Sequence, residues 1–410
     1  MKICFCRFGA YPLFDPFDRG RFGGAEFRAY TFAKGFASLT DHDVSFLVDS
    51  ECRRRPQRFG RIDVHFQASR RFPHTRQLLC QPRRYWQLPL VAGYKLVRSF
   101  RKRTALNSAK TARLQLPLDM DVLCCFGTGF RTFDLLQSVQ RRGAKFVLFL
   151  VSNDEIDDKH SFGVGLAPEL RRNLSAVRDQ MVDRADLVVA QNKYQKQQLS
   201  RLFSKPSVLI RNPIDLSTRQ SGPERRLPKR YVLWVGRADT YSKRADLALD
   251  IAKRCPEMRF VMVMNKLDEV VFKQLTTDIP KNVTVIEHVP YDEMDSLYRN
   301  AVVLMNTSES EGFPNTFLQA AKHGLPIVSH GVDPNGMLQS HGCGQVANRC
   351  MDTMLSLLSQ AWRCELDVER LSQAGSRYIR RFHALEDRVA ELDQAIQNLI
   401  EGSERHRRSA

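Results

Sequence analysis

Residues 306–329 read NTSESEGFPNTFLQAAKHGLPIVS, and this stretch decides the fold. The apolar run Val302 to Met305 stops in front of it, and an amphipathic segment begins at Asn315. Gly324 and Pro326 end that segment before a second apolar run. The pattern predicts a strand, a polar loop, a helix, a turn and a second strand.

The predicted helix begins next to a loop that can hold an anion. Pro314 would open the helix, with Asn315 or Thr316 as the N-cap, and the first backbone N–H groups would then face the loop. Glu311 lies in the loop, and Gln319 lies about one and a half turns past the cap. Both side chains can therefore line one pocket.

Length and composition indicate a folded protein of two domains. With 410 residues, 43% hydrophobic and 26% charged, the chain is too long for one ordinary domain. Its longest apolar run, Phe146 to Val151, has the length of a strand, and the N-terminus MKICFCRFGA lacks a secretory pattern. We therefore expect a cytoplasmic protein. The ten cysteines form no CxxC pair and are expected to be buried thiols in a reducing compartment.

The formal net charge of +18 is concentrated between Glu51 and Arg113, where 17 Lys and Arg stand against two acids. Within this basic segment Leu90, Tyr94 and Val97 recur at helical spacing among basic residues, as in amphipathic surface helices. Three interpretations are open: a solvated basic face, contact with an anionic membrane, and nucleic-acid binding. Membrane contact has the strongest physical basis, because each basic residue near an anionic leaflet contributes about 1 kcal/mol, and nucleic acid has the weakest.

Both halves of the chain alternate apolar runs with amphipathic segments, which predicts βαβ units and parallel sheets. A Gly-rich loop ending in Gly23-Gly24 separates a strand at Lys2–Cys6 from a helix, as in dinucleotide-binding units, although no GxGxxG is present. Asn212-Pro213 and the polar residues after it break the alternation. The predicted division is 1–212 for a first domain with a basic insertion at about 51–113, 213–230 for a linker, 231–383 for a second domain, 384–401 for an amphipathic helix and 402–410 for a disordered basic tail.

Two cations follow the first strand of the second half. Gly236 and Arg237 come directly after the apolar run Tyr231 to Val235, and Lys243 precedes the next helix. Ligands of open parallel sheets bind beyond the carboxyl ends of the strands, and an Arg fork with a mobile Lys suits a diphosphate. Together with the anion site in front of Asn315, these cations predict a diphosphate site.

The second half resembles the donor-binding domain of the retaining glycosyltransferases of family 4. The similarity is carried by VLWVGRADTYSKRADLALDIAKRCPEMRFVMV, HVPYDEMDSLYRNA and NTSESEGFPNTFLQAAKHGLPIVS. The first half matches more thinly, through GGAE, ADLVVAQNKYQKQQL and VLIRNPID. The resemblance implies an α/β fold of the GT-B type, in which two Rossmann-like parallel-sheet domains face each other across a cleft, the first binding the acceptor and the second the donor.

The resemblance also implies roles for single residues. Arg237 and Lys243 would hold the donor diphosphate and assist its departure, and Glu311 would contact the transferred sugar. The second acid of the family pattern is replaced by Gln319, whose amide can still bind a ribose hydroxyl. The implied donor-binding residues are Gly24, Gly236, Phe313, Pro314, Asn315, Thr316 and Gln319.

Many relatives place a sugar-contacting His after the strand that ends here in FVLFLVSNDEID, and this chain has none there. Ser152, Asn153 or Asp154 would fill that role, and the choice among them is open. The acids of this stretch can equally form a solvated loop; they are Asp154, Glu155, Asp157 and Asp158. The DxD spacing of Asp119 and Asp121 is that of some metal sites, but a turn before a strand is the simpler interpretation, and no metal is expected.

The predicted activity is a metal-independent, retaining hexosyl transfer from a nucleoside-diphosphate sugar to a glycan or lipid-linked acceptor, in cell-surface polysaccharide or glycoconjugate synthesis. The donor is a substrate, so no cofactor is expected. The basic segment would place the protein on the inner face of the cell membrane. The alternatives are a GT-B epimerase or phosphorylase, and a non-catalytic protein that binds a sugar nucleotide or RNA.

Overall fold

The computed structural model describes residues 1–15, 17–18, 20–50, 56–68, 119–157, 168–217, 227–266 and 268–409. Within these ranges the chain forms two sheets of mainly parallel strands, one from each half of the sequence. The predicted α/β fold with two parallel-sheet domains is confirmed. In the described part of the chain, no helix is both long enough and apolar enough to cross a membrane.

The first sheet has eight described strands. They are β1 (Lys2–Cys6), β2 (Asp43–Ser50), β3 (Gln57–Phe59), β4 (Ile62–Ala68), β5 (Val122–Phe126), β6 (Lys145–Phe149), β7 (Leu187–Ala190) and β8 (Ser207–Leu209). Their order is β3-β4-β2-β1-β5-β6-β7-β8, and all neighbours are parallel except β3 and β4. The helices of this half are α1 (Gly24–Leu39), α2 (Phe130–Gln140), α3 (Pro168–Arg184) and α4 (Lys193–Phe203).

Alternate residues of the central strand β1 belong to two hydrophobic cores. Ile3 and Phe5 pack with α1 on one face of the sheet, and Cys4 and Cys6 pack with α2, α3 and α4 on the other. Successive side chains of a strand point to opposite faces, so both faces are covered by helices. This double burial explains why the strands of this half read as continuous apolar runs.

The second sheet has six described strands, all parallel. They are β9 (Val232–Arg237), β10 (Phe260–Asn265), β11 (Val283–Ile286), β12 (Val303–Asn306), β13 (Ile327–Ser329) and β14 (Gly344–Val346). The helices between and after them are α5 (Ala245–Arg254), α6 (Glu269–Leu275), α7 (Met294–Asn300), α8 (Asn315–Lys322) and α9 (Met351–Trp362). In the order β11-β10-β9-β12-β13-β14, the neighbours β9 and β12 bring the loops that follow them to the same edge.

Two helices complete the chain, α10 (Val368–His383) and α11 (Leu385–Ser409). α10 packs on α8 of the second domain, whereas α11 packs on α1 of the first. The chain therefore crosses back to the first domain at Ala384, which pairs with Ile214 where the chain first crosses between the domains. Val389 and Leu392 of α11 are buried in the first-domain core, so the apolar side predicted for this helix docks on the domain opposite to the one it follows.

The structure corrects two predicted boundaries. Disorder was predicted from Gly402, but α11 continues to Ser409, because one Gly among good helix formers does not stop a helix. Part of the predicted basic insertion belongs to the first sheet, since β4 pairs in parallel with β2. In β4, Asp63, His65 and Gln67 alternate with apolar residues, which is the period of a half-buried strand that the sequence prediction missed. The rest of the basic segment, with its predicted amphipathic helix, lies outside the described residues.

The cysteines are free thiols wherever they are described. Six of them are buried, as expected, and they are Cys4, Cys6, Cys124, Cys125, Cys255 and Cys343. Cys350 and Cys364 are exposed, which contradicts the expectation of burial for these two. Both lie in turns at the ends of α9, where the chain has no sheet to cover it.

Candidate functional site

Asp239 organises the loop that follows β9. Its buried Oδ1 accepts hydrogen bonds from the backbone N–H groups of Ser242 (2.8 Å) and Lys243 (2.7 Å). Arg237, the last residue of β9, has its Nε 3.3 Å from the other oxygen of Asp239, and its side chain is 41% exposed. A buried acid that the sequence patterns did not single out therefore holds both predicted cations at the carboxyl end of β9.

Gly236 and Thr307 hold this loop close to the sheet. A Cβ atom at Gly236 would lie 2.8 Å from the ring of Trp234 and 3.3 Å from Cβ of Lys243, so a side chain has no room there. Thr307, directly after β12, accepts a hydrogen bond from Trp234 Nε1 (2.9 Å) and donates to the carbonyl oxygen of Lys243 (2.8 Å). The loops after β9 and β12 are thereby fixed to one another.

Lys243 and Glu311 are in direct contact between these two loops. Lys243 Nζ donates to Glu311 Oε1, and Ser308 Oγ donates to the same oxygen at 2.7 Å. The Lys243 and Glu311 side chains are 23% and 13% exposed, so the ion pair is only partly open to solvent. The structure thus brings together two of the three predicted catalytic residues, with Arg237 on the adjoining loop.

Helix α8 begins earlier than predicted, because its cap lies at least one residue before the predicted one. Its N-cap is Pro314, without a capping side chain, and Asn315 is the first helical residue, so the predicted N-cap at Asn315 or Thr316 is wrong. The side chain of Asn315 is used elsewhere, since its Nδ2 donates to the carbonyl oxygen of Gly24 (2.8 Å). Among the described residues, the backbone N–H groups of Phe313, Asn315 and Thr316 donate no hydrogen bond, which leaves three donors at the start of α8.

Gln319 lies in the second turn of α8 with its side chain partly buried. Within the described residues no hydrogen bond joins it to Glu311. The pairing of Glu311 and Gln319 in one pocket therefore stays a prediction.

The loop 307–314 between β12 and α8 carries predicted donor-binding residues, and we call it the donor loop. Of Ser152, Asn153 and Asp154 on the first domain, Asn153 is the one that faces this loop. The amide Nδ2 of Asn192 donates both to Asn153 Oδ1 (2.9 Å) and to the carbonyl oxygen of Gly312 (2.6 Å). Ser152 instead caps its own turn, since its Oγ accepts from the N–H of Asp154 (3.2 Å). Asn153 and Gly312, the residue after Glu311, are therefore joined through the same amide of Asn192.

The solvated-loop interpretation is wrong for Glu155. This carboxylate is 3% exposed and accepts hydrogen bonds from the N–H of Val151 (2.6 Å) and from the N–H and Oγ1 of Thr128 (2.7 and 2.9 Å). Burial raises its pKa, while these donors act in the opposite direction. Glu155 is a structural link between the loops after β5 and β6. Asp157 is also buried and accepts from the hydroxyl of Tyr194 (2.8 Å).

A partly buried ion pair that the sequence patterns did not reveal lies at the carboxyl end of β1. Arg7 Nε donates to Glu26 Oε1 (2.6 Å), and Arg7 Nη1 donates to the carbonyl oxygen of Phe126 (2.9 Å). Glu26 Oε2 accepts from the N–H of Gly23 (2.9 Å), which closes the start of α1. The available signal was the Glu three positions after Gly23, a spacing typical of capping boxes.

Gly24 lies against the start of α8. A Cβ atom there would be 3.1 Å from Asn315 Nδ2, the same atom that donates to its carbonyl oxygen. The glycine loop therefore lies against the second domain at the start of α8. Its approach to a diphosphate stays a prediction.

The two acids with DxD spacing hold the start of β1. Asp121 Oδ2 accepts from the backbone N–H of Lys2 (2.8 Å), and Asp119 Oδ2 accepts from Lys2 Nζ (2.7 Å). Both bonds agree with a turn before a strand. Among the described residues, no three His, Cys, Asp or Glu side chains are grouped to hold a metal ion.

Residues 229–358 match the family model described as Glycosyl transferases group 1. The matched region contains the two cations Arg237 and Lys243, together with Glu311 and Gln319. No curated protein matches this sequence.

Solved structures similar to this chain cover nearly its whole length. Sucrose-phosphate synthase from Thermosynechococcus elongatus is 14% identical over 98% of this chain and 99% of its own, with a TM-score of 0.69. An E. coli trehalose-6-phosphate protein bound with UDP-2-fluoro glucose is 12% identical over 97% and 99%, with a TM-score of 0.59. The lipopolysaccharide outer core galactosyltransferase WaaB is 18% identical over 98% and 100%, with a TM-score of 0.52. The similarity is one of fold, and it confirms the predicted GT-B architecture.

Proposed function

We propose that this protein is a retaining, metal-independent glycosyltransferase of family 4 that transfers a hexosyl group from a nucleoside-diphosphate sugar to a glycan or lipid-linked acceptor. The observation that carries the proposal is the Lys243–Glu311 ion pair beside three N–H groups at the start of α8 that donate to no other described residue. Cations, an acid and preorganised donors are the groups that a diphosphate sugar requires. The glycosyl transferases group 1 match over 229–358 contains all of them.

Donor binding would rearrange the ion pair. Lys243 Nζ would move from Glu311 to the diphosphate, and Arg237, which is partly exposed and paired with Asp239, would bind the same group. Glu311 would then accept a hydroxyl of the transferred sugar, with Ser308 still donating to its Oε1. The charge that develops on the departing diphosphate would be stabilised by the two cations and by the N–H groups of α8.

The reaction would proceed on one face of the sugar. The acceptor oxygen forms its bond to the anomeric carbon on the side from which the diphosphate leaves, the carbon–oxygen bond to the phosphate breaks, and the acceptor proton passes to the departing phosphate oxygen. Retention and this front-face displacement rest on the resemblance to family 4. Because the leaving group takes the proton, the site needs no separate general base.

The first domain would bind the acceptor. The Arg7–Glu26 pair, with side chains 30% and 13% exposed, lies beside the glycine loop and offers hydroxyl-binding groups to the cleft. The basic segment 51–113 would dock on an anionic membrane and bring lipid-linked acceptors of cell-surface polysaccharide or glycoconjugate synthesis to this wall.

Turnover of sugar nucleotides tests the proposal. The purified protein, incubated with UDP-, GDP- and ADP-sugars and an acceptor glycan or lipid extract, should release the nucleoside diphosphate and form a glycosylated product. Formation of a free epimeric sugar nucleotide or a sugar phosphate without an acceptor would instead indicate an epimerase or phosphorylase. Absence of all turnover, with the sugar nucleotide still bound, would indicate a binding protein.

A further inference from the structure

The first domain holds the donor loop of the second domain by its backbone carbonyl groups. Asn192, directly before α4, donates from Nδ2 to the carbonyl oxygen of Gly312 at 2.6 Å. Asn212, where the chain leaves the first domain, donates from Nδ2 to the carbonyl oxygen of Phe313 at 3.1 Å and to Asn315 Oδ1 at 3.0 Å. Both asparagines are almost fully buried, at 2% and 1% exposure, so water does not compete for these bonds.

Holding the Gly312 carbonyl fixes the direction of the next N–H group, that of Phe313, whereas the Phe313 carbonyl is followed by Pro314, which has no N–H. All peptide bonds of the structure are trans among the described residues, and in a planar trans peptide the C=O and N–H point in opposite directions. With the Gly312 carbonyl bound to Asn192, the N–H of Phe313 points away from Asn192. That N–H donates no hydrogen bond among the described residues.

The domains meet so closely at Gly312 that no side chain fits. A Cβ atom at this position would lie 1.9 Å from Gln191 Nε2, 2.6 Å from Gln191 Cδ and 3.2 Å from the carbonyl oxygen of Val151. Gln191 itself is 2% exposed and precedes Asn192. The contact between Asn192 and the donor loop therefore depends on Gly312 and on the closed arrangement of the domains.

We propose that Asn192 and Asn212 are positioning residues that make the orientation of the donor loop depend on domain closure. The inference rests on the proposed function and adds a division of labour to it. The diphosphate is bound by Arg237 and Lys243 within the second domain alone. The sugar is bound with the help of the Phe313 N–H, which the first domain aims through Asn192, on a loop that Asn212 also holds. Tight binding of the whole sugar nucleotide, but not of the diphosphate, therefore requires Asn192.

One substitution separates this role from the part that Asn192 plays in folding. Its Oδ1 accepts a hydrogen bond from the N–H of Gln195 (2.7 Å) and caps α4, whereas its Nδ2 holds the donor loop. Asn192→Asp keeps the capping oxygen, and Asp is as good an N-cap as Asn. It removes the donor and places a carboxylate oxygen against the Gly312 carbonyl.

Asn335→Gly is the matched control. Asn335 Oδ1 accepts from the N–H of Lys193 at 3.0 Å, so it also joins the second domain to the start of α4, but away from the donor loop. Its φ of 57° is one that Gly adopts without strain. The control therefore loses an interdomain hydrogen bond without changing the Gly312 carbonyl.

The test measures the binding of UDP and of UDP-glucose to wild type and to the two variants by calorimetric titration. The same comparison is then made with GDP and GDP-glucose and with ADP and ADP-glucose. The kcat for donor turnover is measured for all three proteins. For Asn192→Asp we expect UDP affinity within about twofold of wild type, a loss of the extra affinity that the sugar provides, and a kcat lower by about 10²-fold, as for other removed transition-state donors. Asn335→Gly should behave as wild type in all three measurements. Gly312→Ala places a methyl group against the buried Gln191 side chain in the same contact, and it should reproduce the Asn192→Asp pattern.

Equal weakening of diphosphate and sugar nucleotide in Asn192→Asp, or no change in either, would overturn the positioning role while leaving the proposed function in place. Should Asn192→Asp fail to fold, Gly312→Ala decides by the same criterion. If wild type binds neither ligand of any pair, the proposed function itself fails and the inference fails with it.

Discussion

Lys243 and Glu311 satisfy one another across the loops that follow β9 and β12. Glu311 Oε1 receives both the ammonium of Lys243 and the hydroxyl of Ser308, so a single oxygen joins the predicted phosphate-binding and sugar-binding groups. Asp239 orders the backbone that carries Lys243. At the scale of the residue, a bound diphosphate could therefore take the place of Glu311 as the partner of Lys243.

Substitution of the two family acid positions should have opposite consequences. Glu311→Ala removes the shared oxygen and should lower the transfer rate by about 10²-fold or more, whereas Gln319→Glu should stay within about threefold of wild type, because a carboxylate accepts the same hydroxyl. Release of nucleoside diphosphate in the presence of acceptor measures both. A large loss in Gln319→Glu with little loss in Glu311→Ala would mean that the sugar lies elsewhere.

His383 should make stability fall at mildly acidic pH. It is fully buried behind Phe313, its Nδ1 lies 2.7 Å from the carbonyl oxygen of Asn212, and burial lowers its pKa to about 3, with Arg211, Arg388 and Arg28 adding to the effect. The unfolded chain takes up a proton near pH 6.5 and the folded one does not, so this contribution is complete above pH 6.5 and is lost progressively toward pH 3.

The size of this effect is measurable with a variant that does not titrate. Between pH 6.5 and 5 the group should remove about 2 kcal/mol of unfolding free energy. His383→Asn keeps a donor for Asn212 and should show a drop smaller by that amount in urea unfolding at the two pH values. Parallel pH profiles of wild type and His383→Asn would contradict the assignment.

At the scale of the element, strands and helices with a clear period could be predicted, and those whose pattern is broken by distant partners could not. β1 agrees with the sequence prediction to the residue, because an apolar run is a local signal. β4 has the alternating pattern of a half-buried strand and was missed within the basic segment. α9 and α10 were not predicted, although Leu358 and Ile379 are buried on their apolar sides.

The residues of the candidate site likewise fall into those that the sequence predicts and those that it does not. Arg237, Lys243 and Glu311 stand in motifs with fixed spacing and could be predicted. The contacts of Arg7 with Glu26 and of Asn192 with Gly312 join residues 19 and 120 positions apart, which no spacing rule reaches. The cap of α8 was misassigned because Asn315, a good capping residue, is used to bind Gly24 of the other domain.

Helix α11 should stabilise the first domain although it follows the second. Leu392 is fully buried in the first-domain core, so Leu392→Ala should cost about 2 to 5 kcal/mol of unfolding free energy. Gln394→Ala, two residues away and exposed, should change it by less than about 0.5 kcal/mol. Chemical denaturation of both variants gives the comparison, and equal stabilities would show that α11 does not dock as described.

At the scale of the molecule, the uneven charge should govern membrane binding. If the basic segment docks on anionic lipid, the protein should sediment with phosphatidylserine vesicles at low salt and be released at high salt. Neutral vesicles are the control, and replacement of the basic residues of 95–103 by Gln should remove most of the binding. Equal recovery with neutral and anionic vesicles would exclude the proposed docking.

The two domains divide the work of the molecule. The second holds the cations and the acid on loops of its own sheet, and the first reaches the same place through Asn192, Asn212 and Gly24. The domains are also connected by the pairing of Ala384 with Ile214 and by α11, which packs on the first domain. A site assembled in this way binds its ligand from both sides only when the domains are closed.

The central claim is that Arg237 and its neighbours bind a sugar nucleotide, and a thermal-shift screen tests it most directly. UDP-, GDP-, ADP- and CMP-sugars would be added to wild type and to Arg237→Ala, whose side chain is exposed enough to be removed without loss of packing. Ligand at 100 times its dissociation constant adds about 2.7 kcal/mol, which raises the melting temperature by several degrees. The account predicts such a shift for wild type with one class of nucleotide and a much smaller shift for Arg237→Ala. No shift with any sugar nucleotide, or the same shift in both proteins, would contradict it.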